Sequence, residues 1–311
     1  MFSFLTEPNY PKSAIGIEQN YISAVALDRE GRGRYSIRQA ATIEVPNRLI
    51  DPSFLERNIS STDEFRVILE EAVRNAGLLS QKRWSVSLPS GSARTAIVTL
   101  ESEPASRSEA QEVLDWKSEQ SFGAPAGELR ITRQKIDPDK QGRTRYFATA
   151  VRLAVIDEYE TVFESMGWKA GLILPRAISE ASWLAANASD TDSLLISSQS
   201  DGFTALLFRG EEPAVVRTVN CTAAERDDEI FRLLMFYNDR LVGAGGASLL
   251  ERLLLVGRDL NANRVREITA EAFGRALDVL RAEDVGLNLA GSGLSFDEIA
   301  APAGLASMAW R

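Results

Sequence analysis

The fold is decided by residues 14–28, AIGIEQNYISAVALD. This stretch begins as a short apolar strand, passes through a polar turn at Gln19 and Asn20, and resumes from Tyr21 with side chains that alternate along a second strand. A turn at 29–33 then leads into a third strand at 35–45. Because strands joined by such short turns must be antiparallel neighbours, residues 14–45 predict a three-stranded meander.

A helix and a fourth strand follow the meander. Ser61 and Glu64 have the spacing of a capping box, an apolar stripe continues to Ala76, and Gly77 ends the helix. The next apolar run, 84–88, predicts a strand that Pro89 closes. The first part of the chain therefore predicts the order βββαβ.

The second half of the chain repeats this order. Strands are predicted at 194–196, 203–208 and 214–219, a helix at about 224–242, and a further strand at 253–256. The two copies share the order and spacing of their elements without obvious sequence identity, which indicates a duplicated fold. We therefore predict an α/β protein of two lobes, 1–190 and 191–311.

Additional elements lie between the two copies. A strand is predicted at 94–100, a helix capped by Ser106 at 107–121, a hairpin at 129–136 and 144–151, and a helix at 155–166. These elements predict a small inserted α+β subdomain at about 92–168. A strand at 172–174 and a helix at 177–186 then return the chain to the first lobe.

The composition excludes several classes of function. The chain of 311 residues contains no histidine, which excludes Ser-His-Asp and Cys-His catalysis and histidine metal sites. A net charge of −9 argues against broad nucleic-acid binding. Cys221 is the single cysteine, so the chain has no intrachain disulfide, and we expect a reducing cytosol. We find neither a signal peptide nor an apolar run long enough to span a bilayer.

A resemblance to a known family runs along nearly the whole chain. It is carried by the stretches 1–5, 86–89 followed by 94–98, 122–125, 157–159 leading to 166–168, and 303–311. Together with the duplicated βββαβ halves, they resemble the PilM-like proteins of type IV pilus assembly, which belong to the FtsA-like subgroup of the actin-like ATPase superfamily. The resemblance implies the actin-like fold with an inserted subdomain and a position at the cytoplasmic face of the inner membrane. It also implies a partner, the cytoplasmic N-terminal tail of a PilN-like membrane protein.

Many members of that family bind ATP between the lobes, at two turns rich in glycine, hydroxyl groups and aspartate. The residues that match those turns here are Glu18, Gln19 and Asn20 in the first lobe and Ser197 and Ser198 in the second, with Gly257 near the adenosine end. The first turn keeps a carboxylate but lacks the glycine and the hydroxyl, and the bulky Tyr21 stands where close approach is needed. We interpret these residues as a degenerate nucleotide cleft.

Two further departures from the family concern the walls of this cleft. The usual lysine falls near residues 24–26, which are uncharged, and only residues 220–223 separate the strand at 214–219 from the following helix. The outer subdomain of the second lobe is therefore predicted to be much reduced. Gly243–Gly246 follows a helix rather than a strand, so we interpret it as a flexible helix end and not as a phosphate loop.

These observations favour a binding protein with no catalytic residues, no metal site and no resident cofactor. An extended or helical tail of its partner is expected in a groove between the first lobe and the inserted subdomain, for which the strand at 94–100 and the helix at 107–121 are the candidates. The protein is expected to reach the membrane only through partners. One alternative is an actin-like ATPase in which Glu18 orients a metal ion and Gly257 lies near adenosine. Another is the cytoplasmic half of a GspL-like type II secretion protein.

Overall fold

The computed structural model describes residues 10–102, 104–186, 191–239, 250–289, 291 and 293–310. Some of the sequence features lie outside these residues. They are the stretch 1–5, the predicted helix end at 240–242, Gly243–Gly246 and Arg311.

The chain alternates strands and helices along its whole described length. In chain order the elements are β1 (Ser13–Ile17), β2 (Tyr21–Gly31), β3 (Arg34–Glu44), α1 (Thr62–Asn75), β4 (Arg83–Leu88), β5 (Arg94–Thr99), α2 (Arg107–Phe122), β6 (Leu129–Ile136), β7 (Arg145–Arg152), α3 (Leu153–Ser165), β8 (Lys169–Pro175), α4 (Arg176–Ala186), β9 (Asp192–Gln199), β10 (Gly202–Arg209), β11 (Glu212–Asn220), α5 (Arg226–Tyr237), β12 (Leu250–Val256), α6 (Ala262–Phe273), β13 (Val279–Leu280), β14 (Leu287–Asn288) and α7 (Phe296–Ser307). The sequence predicted neither α6 nor α7.

The two large sheets have the same topology. The first has the order β14-β3-β2-β1-β4-β8 and the second has the order β11-β10-β9-β12-β13. In each sheet the first three strands of the half are antiparallel, and the first and fourth strands are parallel. The predicted duplication of the βββαβ unit is therefore confirmed.

The helices and sheets form alternating layers. In the first lobe α1 and α3 pack on one face of the first sheet, and in the second lobe α5 and α6 pack on the outer face of the second sheet. Between the two sheets lie α4 and α7, whose apolar side chains share one core with strands of both lobes. The indole of Trp183 on α4 donates a hydrogen bond of 2.8 Å to the Ala300 carbonyl of α7. This central layer joins the lobes.

The inserted subdomain is a three-stranded sheet, β5-β7-β6, covered by α2. The sequence analysis placed α3 in this subdomain, but Val155, Tyr159 and Phe163 of α3 belong to the core of the first lobe. The separate layer therefore ends near the end of β7 rather than near residue 168. The apolar stripe that predicted this helix does not specify which sheet it covers, because any apolar face satisfies the pattern.

The second lobe has little between β11 and α5. Only residues 221–225 connect these two elements. The inserted subdomain also reaches this lobe, because the Asp137 backbone N–H donates a hydrogen bond of 3.4 Å to Glu212 Oε2 at the start of β11. Both lobes therefore contact the inserted sheet.

Candidate functional site: the cleft between the lobes

A cleft of about 470 Å³ lies between the two lobes. Five residues predicted for the nucleotide site line it: Glu18, Gln19 and Asn20 from the turn between β1 and β2, Ser198 from the end of β9, and Gly257 after β12. The sixth, Ser197, is fully buried beneath the cleft. The predicted residues therefore lie together because both turns follow the first strand of a duplicated half.

The base of the cleft contains an arginine held between two carboxylates. Arg176 is the first residue of α4, and its Nη1 lies 3.1 Å from Glu18 Oε2. Its Nε donates a hydrogen bond of 2.6 Å to Glu180 Oε1, one helical turn further along. The side chains of Arg176 and Glu180 are buried, that of Glu180 completely, whereas the Glu18 side chain keeps 14% of its surface exposed. Breaking such a buried pair by removing one partner is costly, because a buried charge is left uncompensated.

This ion cluster changes the acidity of its carboxyl groups. Burial raises the pKa of Glu18 from 4.5 to about 7, and the neighbouring Arg176 only partly opposes this effect. Burial likewise raises the pKa of Glu180, with Arg176 again acting in the opposite direction. One positive charge therefore faces two acids whose pKa values burial raises.

The second lobe supplies the opposite wall of the cleft. Gly257 has a φ of +148°, and a Cβ at this position would lie 2.4 Å from Ser198 Cβ, so the close approach of these two strands requires glycine. The Gly257 N–H donates a hydrogen bond of 2.8 Å to Asp297 Oδ1. The backbone donor nearest the predicted adenosine end is therefore already used within the protein.

A third set of contacts ties the lobes across the cleft. The Tyr21 hydroxyl donates a hydrogen bond of 3.1 Å to the Asp297 carbonyl at the start of α7. The guanidinium of Arg258 lies 5.3 Å from the centre of the Tyr21 ring and forms an ion pair with Glu298. Tyr21, which the sequence singled out as an obstacle to phosphate, is therefore a contact between the lobes.

The cleft residues do not fit a magnesium-bound triphosphate. Such a ligand needs unpaired cations, free backbone donors and a carboxylate that can hold the metal. Arg176 and Arg258 are the cations among the described lining residues, and both are paired with carboxylates. Glu18 is engaged by Arg176, and the described residues contain no cluster of three acidic, histidine or cysteine ligands.

Sequence reasoning missed the ion cluster and the role of α7. One signal was available for the cluster, because Arg176 and Glu180 are four residues apart in a helix that is otherwise apolar. The contacts of Asp297 and Glu298 with residues 257 and 258 had no comparable signal, because only the tertiary fold brings these segments together.

A groove of about 440 Å³ lies between the first lobe, the inserted sheet and the second lobe. The sequence proposed β5 and α2 for such a groove, and it is the beginning of β5 and the end of α2 that line it, with Arg94 and Phe122. The Arg94 guanidinium lies 4.3 Å from the centre of the Phe54 ring and donates to the Phe122 carbonyl. Leu55 lines the groove with 52% of its surface exposed.

None of the helices in the described part of the chain is both long and apolar enough to cross a bilayer.

No protein-family model and no curated protein matches the sequence. Among solved structures, the chain is similar to a PilM-PilN type IV pilus biogenesis complex, with a TM-score of 0.73 and 14% identity over 98% of this chain and 100% of that chain.

Two further structures match with TM-scores of 0.48. The first is a Bacteroides thetaiotaomicron protein of actin-like ATPase fold and unknown function, at 12% identity over 96% of this chain and 98% of that chain. The second is the cytoplasmic domain of EpsL, an inner-membrane component of the type II secretion system of Vibrio cholerae, at 11% identity over 96% of this chain and 93% of that chain. The duplicated topology and the full-length similarity to the pilus complex show that this chain has an actin-like ATPase fold of the PilM kind.

Proposed function

We propose that this chain is an actin-like scaffold of a type IV pilus or a related secretion apparatus. In this role it binds the cytoplasmic N-terminal tail of a PilN-like inner-membrane protein, is held at the cytoplasmic face of the membrane by that partner, and does not hydrolyse ATP. The full-length similarity to a solved complex of PilM with PilN supports the class of partner. The groove beside the inserted sheet supports the mode of binding.

The groove is suited to an extended segment with apolar side chains. Leu55 presents an exposed apolar side chain to it, and Phe54 and Phe122 form its buried floor. Arg94 at the edge has its guanidinium fixed against the Phe54 ring. Recognition of an extended peptide typically combines main-chain hydrogen bonds with pockets for alternate side chains, and this groove offers both an apolar floor and the beginning of the edge strand β5.

Binding of the tail should not require nucleotide. In an ATP-regulated relative of this fold, the ligand between the lobes would hold them together. Here Asp297 serves as the link: its carbonyl accepts a hydrogen bond from the Tyr21 hydroxyl of the first lobe, and its carboxylate accepts one from the Gly257 N–H of the second. The groove is therefore formed in the protein alone.

The test is a fluorescence anisotropy titration with a labelled peptide that reproduces the cytoplasmic tail of the PilN-like protein from the same organism. We expect saturable binding without nucleotide, and a loss of affinity of at least tenfold in Leu55→Asp, because burial of a leucine side chain contributes about 2 kcal/mol. Val67→Asp is the matched control, since Val67 is 60% exposed on α1 and far from the groove in the fold. Binding that appears only with Mg-ATP, or equal affinities of both variants, would contradict the proposal.

A further inference from the structure

The cleft between the lobes and the groove beside the inserted sheet are continuous. The same five residues line both: Pro52, Ser90, Gly91, Gln199 and Asp201. Three of them belong to the first lobe and two to the turn between β9 and β10 of the second lobe. A ligand that follows the groove past these residues therefore enters the cleft.

The shared wall is rigidly held. The Asn58 side-chain amide donates a hydrogen bond of 2.7 Å to the Ser53 carbonyl, and the Ser92 hydroxyl donates to Asn58 Oδ1. The Asn58 backbone N–H donates to Glu158 Oε1 of α3 at 2.5 Å. These bonds fix the segment around Pro52 against the turn at 90–92. Binding of a ligand would therefore cost little conformational entropy in the shared wall.

The cleft carries more acidic than basic side chains. Four carboxylates line the cleft, those of Glu18, Asp51, Asp201 and Asp259, whereas its two arginines are both paired with acids. Glu18 and Asp259 are themselves in ion pairs, with Arg176 and Arg226. The side chains of Asp51 and Asp201 are exposed and take part in no ion pair among the described residues. Two unpaired carboxylates therefore lie in the cleft, and one of them, Asp201, belongs to the wall that the cleft shares with the groove.

We propose that the interlobe cleft binds a basic stretch of the same extended partner segment that occupies the groove. The apolar part of the segment lies over Leu55, and a lysine or arginine next to it enters the cleft between Asp51 and Asp201. This inference rests on the proposed function and deepens it, because it assigns a peptide cation to the space in which relatives of this fold hold a nucleotide. Complementary charge of this kind fixes the register and direction of a bound segment.

Four fluorescent probes test this assignment. Each is the tail peptide of the PilN-like partner with Lys-Lys or Glu-Glu added at one of its two ends, and affinities are measured by anisotropy at low salt. At the end that enters the cleft, we expect the Lys-Lys probe to bind roughly tenfold more tightly than the Glu-Glu probe, and we expect this ratio to fall below about twofold in the double variant Asp51→Asn/Asp201→Asn.

The matched control is the double variant Asp63→Asn/Asp278→Asn, which changes the net charge by the same amount at two side chains that are each 91% exposed. It should keep the preference for the basic probe. A preference that survives in Asp51→Asn/Asp201→Asn, or no preference at either end, would overturn the inference while the binding of the unmodified tail stands. If the unmodified tail itself fails to bind, the proposed function fails, and this inference fails with it.

Discussion

The guanidinium of Arg176 dominates the chemistry of the interlobe cleft at the scale of single residues. It lies within 3.1 Å of Glu18 and 2.6 Å of Glu180, which places two acids around one base in a buried site. Glu18 occupies the position from which a carboxylate would hold a metal ion in an active relative. Because Arg176 engages that carboxylate, a metal ion at this position would have to displace the guanidinium.

The ionisation of Glu18 should make the stability of the protein depend on pH. Its folded-state pKa of about 7 is higher than its ordinary value of 4.5, so the folded protein binds this proton more tightly than the unfolded chain. The contribution of Glu18 to the free energy of unfolding is therefore fully present below about pH 4.5 and is lost as the pH rises to about 7. In Glu18→Gln this loss is absent, so the difference in unfolding free energy should shift in favour of the variant by up to about 3 kcal/mol as the pH rises from 5 to 8, on top of a constant cost for the lost pairing with Arg176.

Urea unfolding of both proteins at a series of pH values measures this difference. Glu71→Gln, at an exposed position on α1, serves as the control and should follow the wild-type profile. A constant difference between Glu18→Gln and the wild type across the whole range would show that Glu18 does not titrate in this window.

At the scale of elements, α4 and α7 cross in close contact between the halves. Gly304 on α7 packs so closely on α4 that a Cβ there would lie 2.3 Å from the Ser179 carbonyl oxygen. Pro302, two residues earlier on α7, packs over Gly16 of β1, where an added Cβ would lie 2.8 Å from Pro302 Cδ. Small residues therefore allow two helices to fit between the sheets.

Gly304→Ala should destabilise the protein although alanine is the better helix former. Alanine gains about 1 kcal/mol of helix propensity over glycine, but the backbone of α4 must move to accept the methyl group, and overpacking of this kind costs about 1–3 kcal/mol. We expect a net lowering of the thermal midpoint, measured by circular dichroism. Gly127→Ala is the control, because a Cβ there has no neighbour within 4 Å. A midpoint that is unchanged or higher in Gly304→Ala would contradict the tight crossing.

These elements also explain how much the sequence could predict. The meander could be predicted from the sequence because short turns and alternating side chains allow only antiparallel pairing of its strands. The site turns could be predicted because they directly follow the first strand of each half. The helix α7 was missed, although Ser295 and Glu298 form a capping box. Its residues 299–307 are buried on all sides, and Pro302 and Gly304 interrupt the pattern, so no amphipathic period remains. The ion cluster was missed because Glu18 and Arg176 meet only in the folded chain.

At the scale of the whole molecule, the protein has an actin-like fold whose halves are joined by contacts among its own side chains. The lobes share one core through α4 and α7, and the inserted sheet contacts both lobes. The cleft that remains carries excess acidic groups, which repel a triphosphate. We therefore expect a protein that holds its partner-binding form in the absence of ATP.

Calorimetric titration with ATP in the presence of magnesium tests this expectation. We expect no saturable heat, because both arginines that line the cleft are paired with carboxylates and the lining carries more acidic than basic side chains. In the same instrument, the tail peptide of the PilN-like partner should give a normal binding isotherm, which shows that the sample is competent. A dissociation constant for ATP in the micromolar range would show that the cleft is a functional nucleotide site.

The central helix layer has a consequence for how the polypeptide can be divided. Helix α7, from the C-terminal half, packs on β1, β2 and β4 of the N-terminal sheet, while α4, from the N-terminal half, packs on β9 and β10. Each half therefore contributes a helix to the hydrophobic core of the other half. A fragment that contains one half alone would expose a large apolar surface and aggregate. Two complementary fragments that are expressed together in one cell should associate and reconstitute the intact fold.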